Sequence, residues 1–267
     1  MHITILAGGT SGAAFVGEFA DLLGPDDRLS VIVNCAGDLW AHGLKVSPDL
    51  DLVLNTLRRR GYADTFGASD EIARLGIEPS WLRSSDRDLA LHIVRTELLH
   101  AGFSLVQVAQ ALAARMDIAV DVIPMTNDRV EQHAVISNSE GSRAVHIAEF
   151  LANPGMTTAS QLVMVNADAW TAAPEAIAAL EAADVIAIAP GNAELSLAPI
   201  VSTPGIRAAI ETSAALLVRV KELVVSPQPI GGAEAIELLE SLKSTQGPIT
   251  YRSDAPSVFS AAETASR

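Results

Sequence analysis

A glycine-rich turn near the start of the chain is the first feature that could do chemistry. Residues 5–15 read ILAGGTSGAAF, in which Gly8, Gly9 and Gly12 separate a short apolar run from a segment of helical composition. Glycine lets a backbone approach an anion closely, and the free N–H groups at a helix N-terminus attract phosphate. A tight strand-to-helix connection uses the same residues, so the turn by itself leaves both interpretations open.

Three familiar classes of protein with a glycine turn do not fit the sequence. A dinucleotide-binding unit places Asp or Glu at the end of its second strand, whereas the run VIVNC ends in Asn34 and Cys35. A short-chain reductase needs a lysine four residues after its tyrosine, and neither Tyr62 nor Tyr251 has one. A P-loop would end in Gly-Lys-Ser or Gly-Lys-Thr, which this turn lacks.

Carboxylates and an imidazole follow the second apolar run, in the segment GDLWAHGLKVSPDLD. Mg²⁺ prefers a few carboxylates together with water and ligand phosphates. Asp38 and Asp51 are therefore candidate magnesium ligands, with His42 nearby. Asp49 also fits a helix cap, because Pro-Asp before an apolar run is a common helix start. Asp51 is equally compatible with a cap or a solvated surface.

Two further polar turns follow later apolar runs. In PMTNDRVEQHAVI, Arg129 is a candidate phosphate ligand and His133 a candidate proton shuttle. His133 fits a buried strand residue equally well. In APGNAELSL, Gly191 and Asn192 form a turn able to donate backbone N–H groups. Because ligands of open α/β sheets bind where parallel strands end, we expect the four turns to meet at one edge.

The order of the apolar runs predicts the fold class. Short β-branched runs alternate with Ala-, Leu- and Glu-rich segments of helical pattern. Runs that are apolar on both faces are typical of parallel strands covered by helices. We predict an α/β fold with a doubly wound, mostly parallel Rossmann-like sheet. Its predicted strands are HITILA, LSVIVNC, VDVIPM, HAVIS, AVHIAE, QLVMVN, ADVIAIAP and ALLVRVKELVVS.

Residues 49–116 contain no convincing strand and predict a helical insertion. In DRDLALHIVRTELLHAG the spacing places Leu89, Ile93, Thr96 and Leu99 on one helical face. An insertion that begins where a strand ends suits a lid over the site, although a helical pack with no role in binding is also compatible. We predict one α/β domain over residues 1–252 and a flexible tail over residues 253–267.

Composition excludes several classes of function. The 267 residues are 49% hydrophobic with a formal net charge of -14, so no global basic field favours nucleic acid or an anionic membrane. The single cysteine, Cys35, excludes an intrachain disulfide and a zinc site with several thiolates from this chain. The start MHITIL lacks the pattern of a signal peptide, and no later apolar stretch is long enough for a membrane span. We expect a cytoplasmic protein.

The motifs and their order resemble those of the 2-phospho-L-lactate transferase family, which makes the deazaflavin coenzyme F-420. The resemblance extends from residue 1 to about residue 232, and DRDLALHIVR combined with PDLD is far more specific than a glycine turn. The remaining motifs that carry it are GGTSGAAF, VNCAGDLWAHG, IPMTNDRVEQHAVI, APGNAELSLAPIVSTPGIR and VVSPQPIGG.

The resemblance implies a group transfer between two small molecules. The donor would be a guanosine diphosphate-activated phospholactate or its phosphoenolpyruvate counterpart. The acceptor would be the ribityl hydroxyl of 7,8-didemethyl-8-hydroxy-5-deazariboflavin. Guanosine monophosphate would leave, Mg²⁺ would assist, and the protein would be a homodimer.

The resemblance also implies roles for individual residues. Those against the nucleotide would be Gly8, Gly9, Thr10, Gly12, Arg129, Gly191 and Asn192. The catalytic residues would be Asp38, Asp49, Asp51 and His133, with Asp38 and Asp51 at the metal. The acceptor pocket would contain Trp40, His42 and Asp88.

The glycine loop and the acidic segment depart from the family pattern. Ser11 and Ala14 stand where the family usually has glycine and a Lys or Arg, and Gly37 replaces the first of two acids. Asp38 is the candidate replacement for that acid. Lys45 is, with Arg129, a candidate replacement for the cation.

These departures support a second hypothesis. A non-catalytic relative would bind a nucleotide or flavin and act as a regulator or as the partner of an active paralogue. The sequence also ends sooner after Gly232 than the family does, without its lysine-bearing segment. A nucleotide-sugar-binding regulator of the related cell-wall family is a third hypothesis, which DRDLALHIVR fits less well.

Overall fold

The computed structural model describes residues 1–58, 64–138, 141–153, 156, 159–166 and 169–220. The predicted tail over residues 253–267 and the motif VVSPQPIGG lie outside these residues. The described elements are, in chain order, β1 (His2–Ala7), α1 (Gly9–Ala20), β2 (Arg28–Val33), β3 (Leu39–Ala41), β4 (Leu44–Val46), α2 (Pro48–Arg58), α3 (Gly67–Arg74), α4 (Asp86–His100), α5 (Leu105–Arg115), β5 (Asp121–Pro124), β6 (Glu131–Asn138), β7 (Gly141–His146), α6 (Ile147–Ala152), β8 (Gln161–Val165), α7 (Pro174–Glu181), β9 (Val185–Ile188), a π-helix (Ala193–Leu197), α8 (Ala198–Ser202), α9 (Ile206–Thr212) and β10 (Leu216–Arg219).

Five parallel strands form the central sheet in the order β10-β9-β1-β2-β5. The chain moves outward from β1 to β2 and β5, and then returns to the other side of β1 to add β9 and β10. Nearly every residue of β1, β2 and β9 is buried, as expected for strands with helices on both faces. The predicted α/β class with a mostly parallel, doubly wound sheet is confirmed.

Three of the predicted parallel strands belong to a separate antiparallel sheet in the order β7-β6-β8. HAVIS lies in β6 and QLVMVN in β8, whereas AVHIAE is divided between β7 and α6. Only two residues separate β6 from β7, and so short a connection joins antiparallel strands, not parallel ones. The assignment of these runs to the parallel sheet was therefore wrong.

The described residues between β4 and β5 form the helices α2 to α5. Ser85 and Ser104 begin α4 and α5 with capping boxes, in which each serine accepts a hydrogen bond from the third helical N–H. No helix in the described part of the chain combines the length and apolar character needed to cross a membrane.

The buried face of α4 differs from the one predicted. Leu91, His92, Arg95 and Thr96 are buried, while Ile93 is 46% exposed. The apolar periodicity was misleading because this helix packs through polar side chains. Those polar contacts fasten the helical segment to the start of α2, as described below.

Candidate functional site

One cavity opens at the turns that follow β1, β2 and β9, and a second lies next to it between residues of α2 and α4. The smaller, here called the glycine-loop cleft, has a volume of about 310 Å³, and the larger, the insertion cavity, about 550 Å³. Pro48 lines both. The cleft is lined by Gly8, Gly9, Thr10, Ser11, Asn34, Gly37, Pro48, Asp49, Ile147, Ala148, Leu151, Gly191, Asn192, Leu195 and Ser196. The insertion cavity is lined by Val46, Pro48, Asp51, Leu52, Asn55, Arg58, Asp64, Leu82, Arg83, Ser84, Arg87, Asp88 and His92.

Three of the four predicted turns meet in the cleft, because the turns after β1, β2 and β9 all contribute lining residues. The turn after β5, which carries Arg129, is not among the residues that line the cleft. The edge of the parallel sheet thus gathers the site as the rule for open α/β folds predicts.

The glycine loop is closely packed against the polypeptide around it. A Cβ added at Gly8 would lie 3.0 Å from the Ser196 carbonyl oxygen and 3.1 Å from Asp49 Oδ2, closer than real Cβ atoms normally approach. Gly9 has a φ of +69°, in the left-handed region that favours glycine. Gly12 does not line the cleft. A Cβ added at Gly12 would lie 3.5 Å from Ala7 of β1, so the glycine allows α1 to pack closely against that strand.

Asp49 ties the start of α2 to the glycine loop. Its Oδ1 accepts a hydrogen bond from the Gly9 N–H at 3.1 Å, and its Oδ2 accepts one from Asn34 Nδ2 at 2.8 Å. Burial raises the pKa of the Asp49 carboxyl from 3.8 to about 6, against the opposing effect of these two hydrogen bonds. The carboxylate therefore occupies one of the N–H groups that the glycine loop offers to an anion.

The cleft lining contains no basic side chain among the described residues, and Asp49 is its one ionisable group. Ala14 is exposed on α1, where the family pattern predicts a cation. Lys45 forms a buried ion pair with Asp38, at 3.0 Å between Nζ and Oδ2. Arg129 donates two hydrogen bonds to Glu131. Neither candidate replacement for the cation lines the cleft.

Asp38 is buried beneath the loop that carries Gly37. Besides Lys45, its Oδ2 accepts a hydrogen bond from Ser47 Oγ at 2.8 Å. Its Oδ1 is also buried and has no partner among the described residues. Asp38 itself lines neither cavity.

Asp51 is engaged on both carboxylate oxygens by residues of α4, and it lines the insertion cavity and not the glycine-loop cleft. Arg95 bonds to Oδ1 and, at 3.2 Å, to Oδ2, and His92 Nε2 lies 3.0 Å from Oδ2. Arg95 is fully buried and also donates to the Lys45 carbonyl. A carboxylate held by a guanidinium and an imidazole serves as an ion-pair partner between α2 and α4.

The sequence contains one signal for this ion pair. His92 and Arg95 lie three residues apart in DRDLALHIVR, so they share a helical face. A buried arginine requires an acidic partner. The sequence does not identify that acidic partner, because Asp51 lies more than 40 residues earlier in the chain.

His133 lies in β6 beside Glu131 and His146. Its Nε2 is 3.1 Å from Glu131 Oε2, and its ring meets the His146 ring edge-on at 5.4 Å. Burial lowers the pKa of His146, against the attraction of Glu131. His133 does not line either cavity.

The three predicted acceptor residues are dispersed. Trp40 is 44% exposed and stacks on His100 at 6.0 Å between ring centroids. His42 forms the turn between β3 and β4, with a φ of +52°. Asp88 lines the insertion cavity, completes the capping box of α4 and accepts a hydrogen bond from Asn55 Nδ2 at 3.0 Å. Of the three, only Asp88 lines one of the two cavities.

The turn after β9 completes the cleft. Gly191 and Asn192 line it, as does Thr10 from the glycine loop. The Asn192 side chain caps the π-helix by accepting hydrogen bonds from the N–H groups of Glu194 and Leu195, both at 2.9 Å. Its side-chain oxygen therefore holds the turn.

The chain is similar to proteins of known family over most of its length. A profile of the family described as 2-phospho-L-lactate transferase CofD matches residues 3–258. The phosphoenolpyruvate transferase of Mycobacterium tuberculosis is 37% identical over 255 residues, which cover 87% of this chain and 77% of that protein. The phosphoenolpyruvate transferase of Kitasatospora aureofaciens is 35% identical over 254 residues, covering 92% of this chain and 79% of that protein.

Solved structures support the fold. A crystal structure of a Bacillus halodurans protein has a TM-score of 0.58 at 15% identity, covering 90% of this chain and 76% of that one. A second Bacillus halodurans structure, described as a member of the UPF0052 family, has a TM-score of 0.57 at 19% identity. The match covers 82% of this chain and 68% of that one. Taken with the family profile and the relatives above, these findings lead to one conclusion: the chain belongs to the 2-phospho-L-lactate transferase CofD family.

Proposed function

We propose that this protein transfers a phosphoenolpyruvyl or phospholactyl group from a guanosine diphosphate-activated donor to the ribityl hydroxyl of a deazaflavin. The observation that carries the proposal is the pairing of a glycine-loop cleft with a second cavity that shares Pro48. Two adjoining cavities allow two substrates to react where they meet.

The glycine-loop cleft is the proposed donor site. Gly8 and Gly9 bring backbone close to a ligand, and the N-terminus of α1 favours negative charge. The turn at Gly191 packs against the glycine loop, with a Cβ position 3.4 Å from the Gly8 carbonyl oxygen. A diphosphate bound along these two turns would meet backbone and hydroxyl donors but no basic side chain among the described lining residues.

Magnesium is the proposed source of the missing positive charge. The described residues fit such an ion at Asp49, whose carboxylate lines the cleft and has lone pairs beyond its two hydrogen bonds. When bound, Mg²⁺ would neutralise part of the negative charge of the diphosphate. Gly9 and Asn34 orient the Asp49 carboxylate for that role.

The insertion cavity is the proposed acceptor site. Its volume of about 550 Å³ suits a tricyclic ring with a sugar-alcohol chain. Asn55 and Asp88 offer polar groups for ribityl hydroxyls, and Arg58, Arg83 and Arg87 offer donors for ring oxygens. In the transfer, the acceptor oxygen forms a bond to the phosphorus that carries the organic acid, and the bond from that phosphorus to guanosine monophosphate breaks. The proton of the acceptor hydroxyl passes to the leaving guanosine monophosphate or to solvent.

The test is a product assay with the whole protein. Guanylylated donor, deazaflavin and Mg²⁺ are incubated with the wild type, and mass spectrometry follows the phosphodiester product and guanosine monophosphate. We expect both to form in equal amounts. Asp49→Asn should slow formation at least about 30-fold, because one charge contact at a phosphoryl site is worth about 2 kcal/mol. The control Asp26→Asn, in an exposed loop outside both cavities, should match the wild type.

A nucleotide-binding protein without transferase activity is the second candidate. It is favoured by the absence of a basic side chain among the described residues of the cleft and by Gly37 in place of an acid. Binding of guanosine diphosphate or deazaflavin with no product at any Mg²⁺ concentration would establish this candidate and overturn the first.

A further inference from the structure

Two histidines and a glutamate converge on the antiparallel sheet, outside both cavities. His133 of β6 lies directly opposite His146 of β7, and Glu131 lies two residues before His133 on the same strand. Side chains two residues apart on a strand share a face, as do directly opposed residues of an antiparallel pair. One ligand atom from each residue lies within 4.8 Å of the other two, a grouping unique to these residues in the described part of the chain.

We propose that Glu131, His133 and His146 bind a divalent transition metal ion of the zinc type. Two imidazoles and a carboxylate are a common ligand set for Zn²⁺, which leaves a fourth position open. Ligand atoms about 2.0–2.2 Å from one ion lie about 3–3.5 Å apart in tetrahedral or octahedral geometry. The separation of 3.1 Å between Glu131 Oε2 and His133 Nε2 is in this range.

The surrounding contacts orient the carboxylate. Arg129 donates to Glu131 Oε1 from Nε at 2.9 Å and from Nη2 at 2.8 Å, which leaves Oε2 directed at His133. Such partners of a metal ligand fix its orientation. The His133 side chain is 23% exposed, so an ion has a path from solvent.

Metal binding exchanges existing hydrogen bonds. The bond between Glu131 and His133 is replaced by their shared bonds to the ion. His146 has both ring nitrogens in use, because Nδ1 accepts from the Ala148 N–H at 3.1 Å and Nε2 lies 3.2 Å from the Asp38 carbonyl oxygen. One of these two contacts gives way to coordination, and the other continues to orient the ring.

The position of the site suggests what the ion would do. His146 immediately precedes Ile147 and Ala148, which line the glycine-loop cleft. An ion at this point would hold β6 and β7 together beside that wall of the cleft. The ligand set of nitrogen and one carboxylate also differs from the oxygen ligands that Mg²⁺ prefers, so this site is distinct from the one proposed at Asp49.

The test measures metal binding without substrate, so its outcome is independent of the proposed transferase activity. Full-length protein without a histidine tag is stripped with a chelator and titrated with Co²⁺, followed by visible absorption, and then with Zn²⁺. We expect about one ion per chain, visible cobalt bands typical of nitrogen ligation, and displacement by Zn²⁺ but not by excess Mg²⁺.

Variants locate the ion. His133→Ala and Glu131→Gln should each weaken binding at least about 100-fold, since each removes a direct ligand. His146→Asn keeps an oxygen able to cap α6 and should also lose affinity. His2→Ala removes a histidine outside the cluster and should bind as the wild type. The proposal is overturned if the wild type binds neither ion at about 100 μM, or if folded Glu131→Gln and His133→Ala bind as tightly as the wild type.

Discussion

At the scale of single residues, Asp49 is the group on which the site depends. It lies between the glycine loop and Asn34, and it is the one ionisable side chain among the described residues of the cleft. In the proposed donor site, a phosphate and the Asp49 carboxylate would compete for the N–H donor at Gly9 unless a cation bridged them. Under that proposal, nucleotide binding would depend on both pH and metal through Asp49.

The raised pKa of Asp49 predicts a pH dependence of stability. Burial raises this pKa from 3.8 to about 6, so the folded protein retains a proton that the unfolded chain releases between about pH 4 and pH 6. The contribution of Asp49 to stability is full below pH 4 and is lost as pH rises through 6, by about 3 kcal/mol. Asp49→Asn removes this loss, so the variant should gain stability relative to the wild type between pH 4 and pH 7.

Urea unfolding over this pH range measures the effect. Asp26→Asn, at an exposed loop residue, should give a stability profile parallel to that of the wild type. A constant difference between Asp49→Asn and the wild type across the range would show that the carboxyl titrates normally in the folded protein.

The buried ion pair between Asp51 and Arg95 predicts a large loss of stability. Arg95→Met leaves Asp51 buried with only His92 as partner, which should cost about 3–5 kcal/mol of unfolding free energy. Combining it with Asp51→Asn should recover part of that loss, because no uncompensated charge is left. Chemical denaturation measures both variants, with exposed Arg115→Met as the control. A double variant less stable than Arg95→Met would contradict this account.

Residue-level prediction succeeded where a motif had local meaning. The glycine turn and Asp49 could be placed because strand ends gather at one edge of a parallel sheet. The role of Asp51 could not be predicted, because it depends on Arg95, which lies 44 residues away in the chain. The role of His42 could not be predicted either, because it depends on a positive backbone φ angle. The hypothesis that Arg129 serves the nucleotide failed to anticipate its pairing with Glu131 two residues on.

At the scale of elements, the β3–β4 hairpin shows how backbone geometry restricts a residue type. His42 and Gly43 have φ values of +52° and +75°, as in a two-residue turn with both central residues left-handed. A β-branched residue is strained there.

We expect His42→Val to destabilise the protein by about 1–2 kcal/mol relative to His42→Gly. Both variants lose the imidazole, so the difference in stability between them measures the cost of placing a β-branched residue at a positive φ angle. Thermal unfolding measures it, and equal midpoints would show that the turn adopts another conformation.

The three misassigned strands share one cause, and helix α4 has another. HAVIS, AVHIAE and QLVMVN have the apolar content of buried strands, which does not reveal whether a strand joins the parallel sheet or pairs with its own neighbour. The predicted runs HAVIS and AVHIAE are six residues apart, and the separation of two residues appears only because β6 and β7 extend beyond those runs in the structure. For α4, polar residues on the buried face hid the true orientation of the helix.

At the scale of the whole molecule, the order of apolar runs was sufficient for the fold class and the motif order for the family. Each of these two predictions uses many segments of the chain, so the wrong assignment of one strand or helix does not change the result. The homodimer stays a prediction from the resemblance, and the cytoplasmic location stays a prediction from composition. The single domain over residues 1–252 also stays a prediction, because its last residues lie outside the described part of the chain.

The central claim is that the donor diphosphate binds in the glycine-loop cleft with Mg²⁺ at Asp49. Calorimetric titration with guanosine diphosphate, with and without Mg²⁺, tests it most directly. We expect binding to be at least about tenfold tighter with Mg²⁺, a difference of about 1.4 kcal/mol. We also expect loss of binding in Gly8→Ala, where a Cβ would lie 3.0 Å from Ser196 O, but not in Gly67→Ala, where the nearest atom is 3.7 Å away. Binding that is indifferent to Mg²⁺ and unchanged in Gly8→Ala would contradict it.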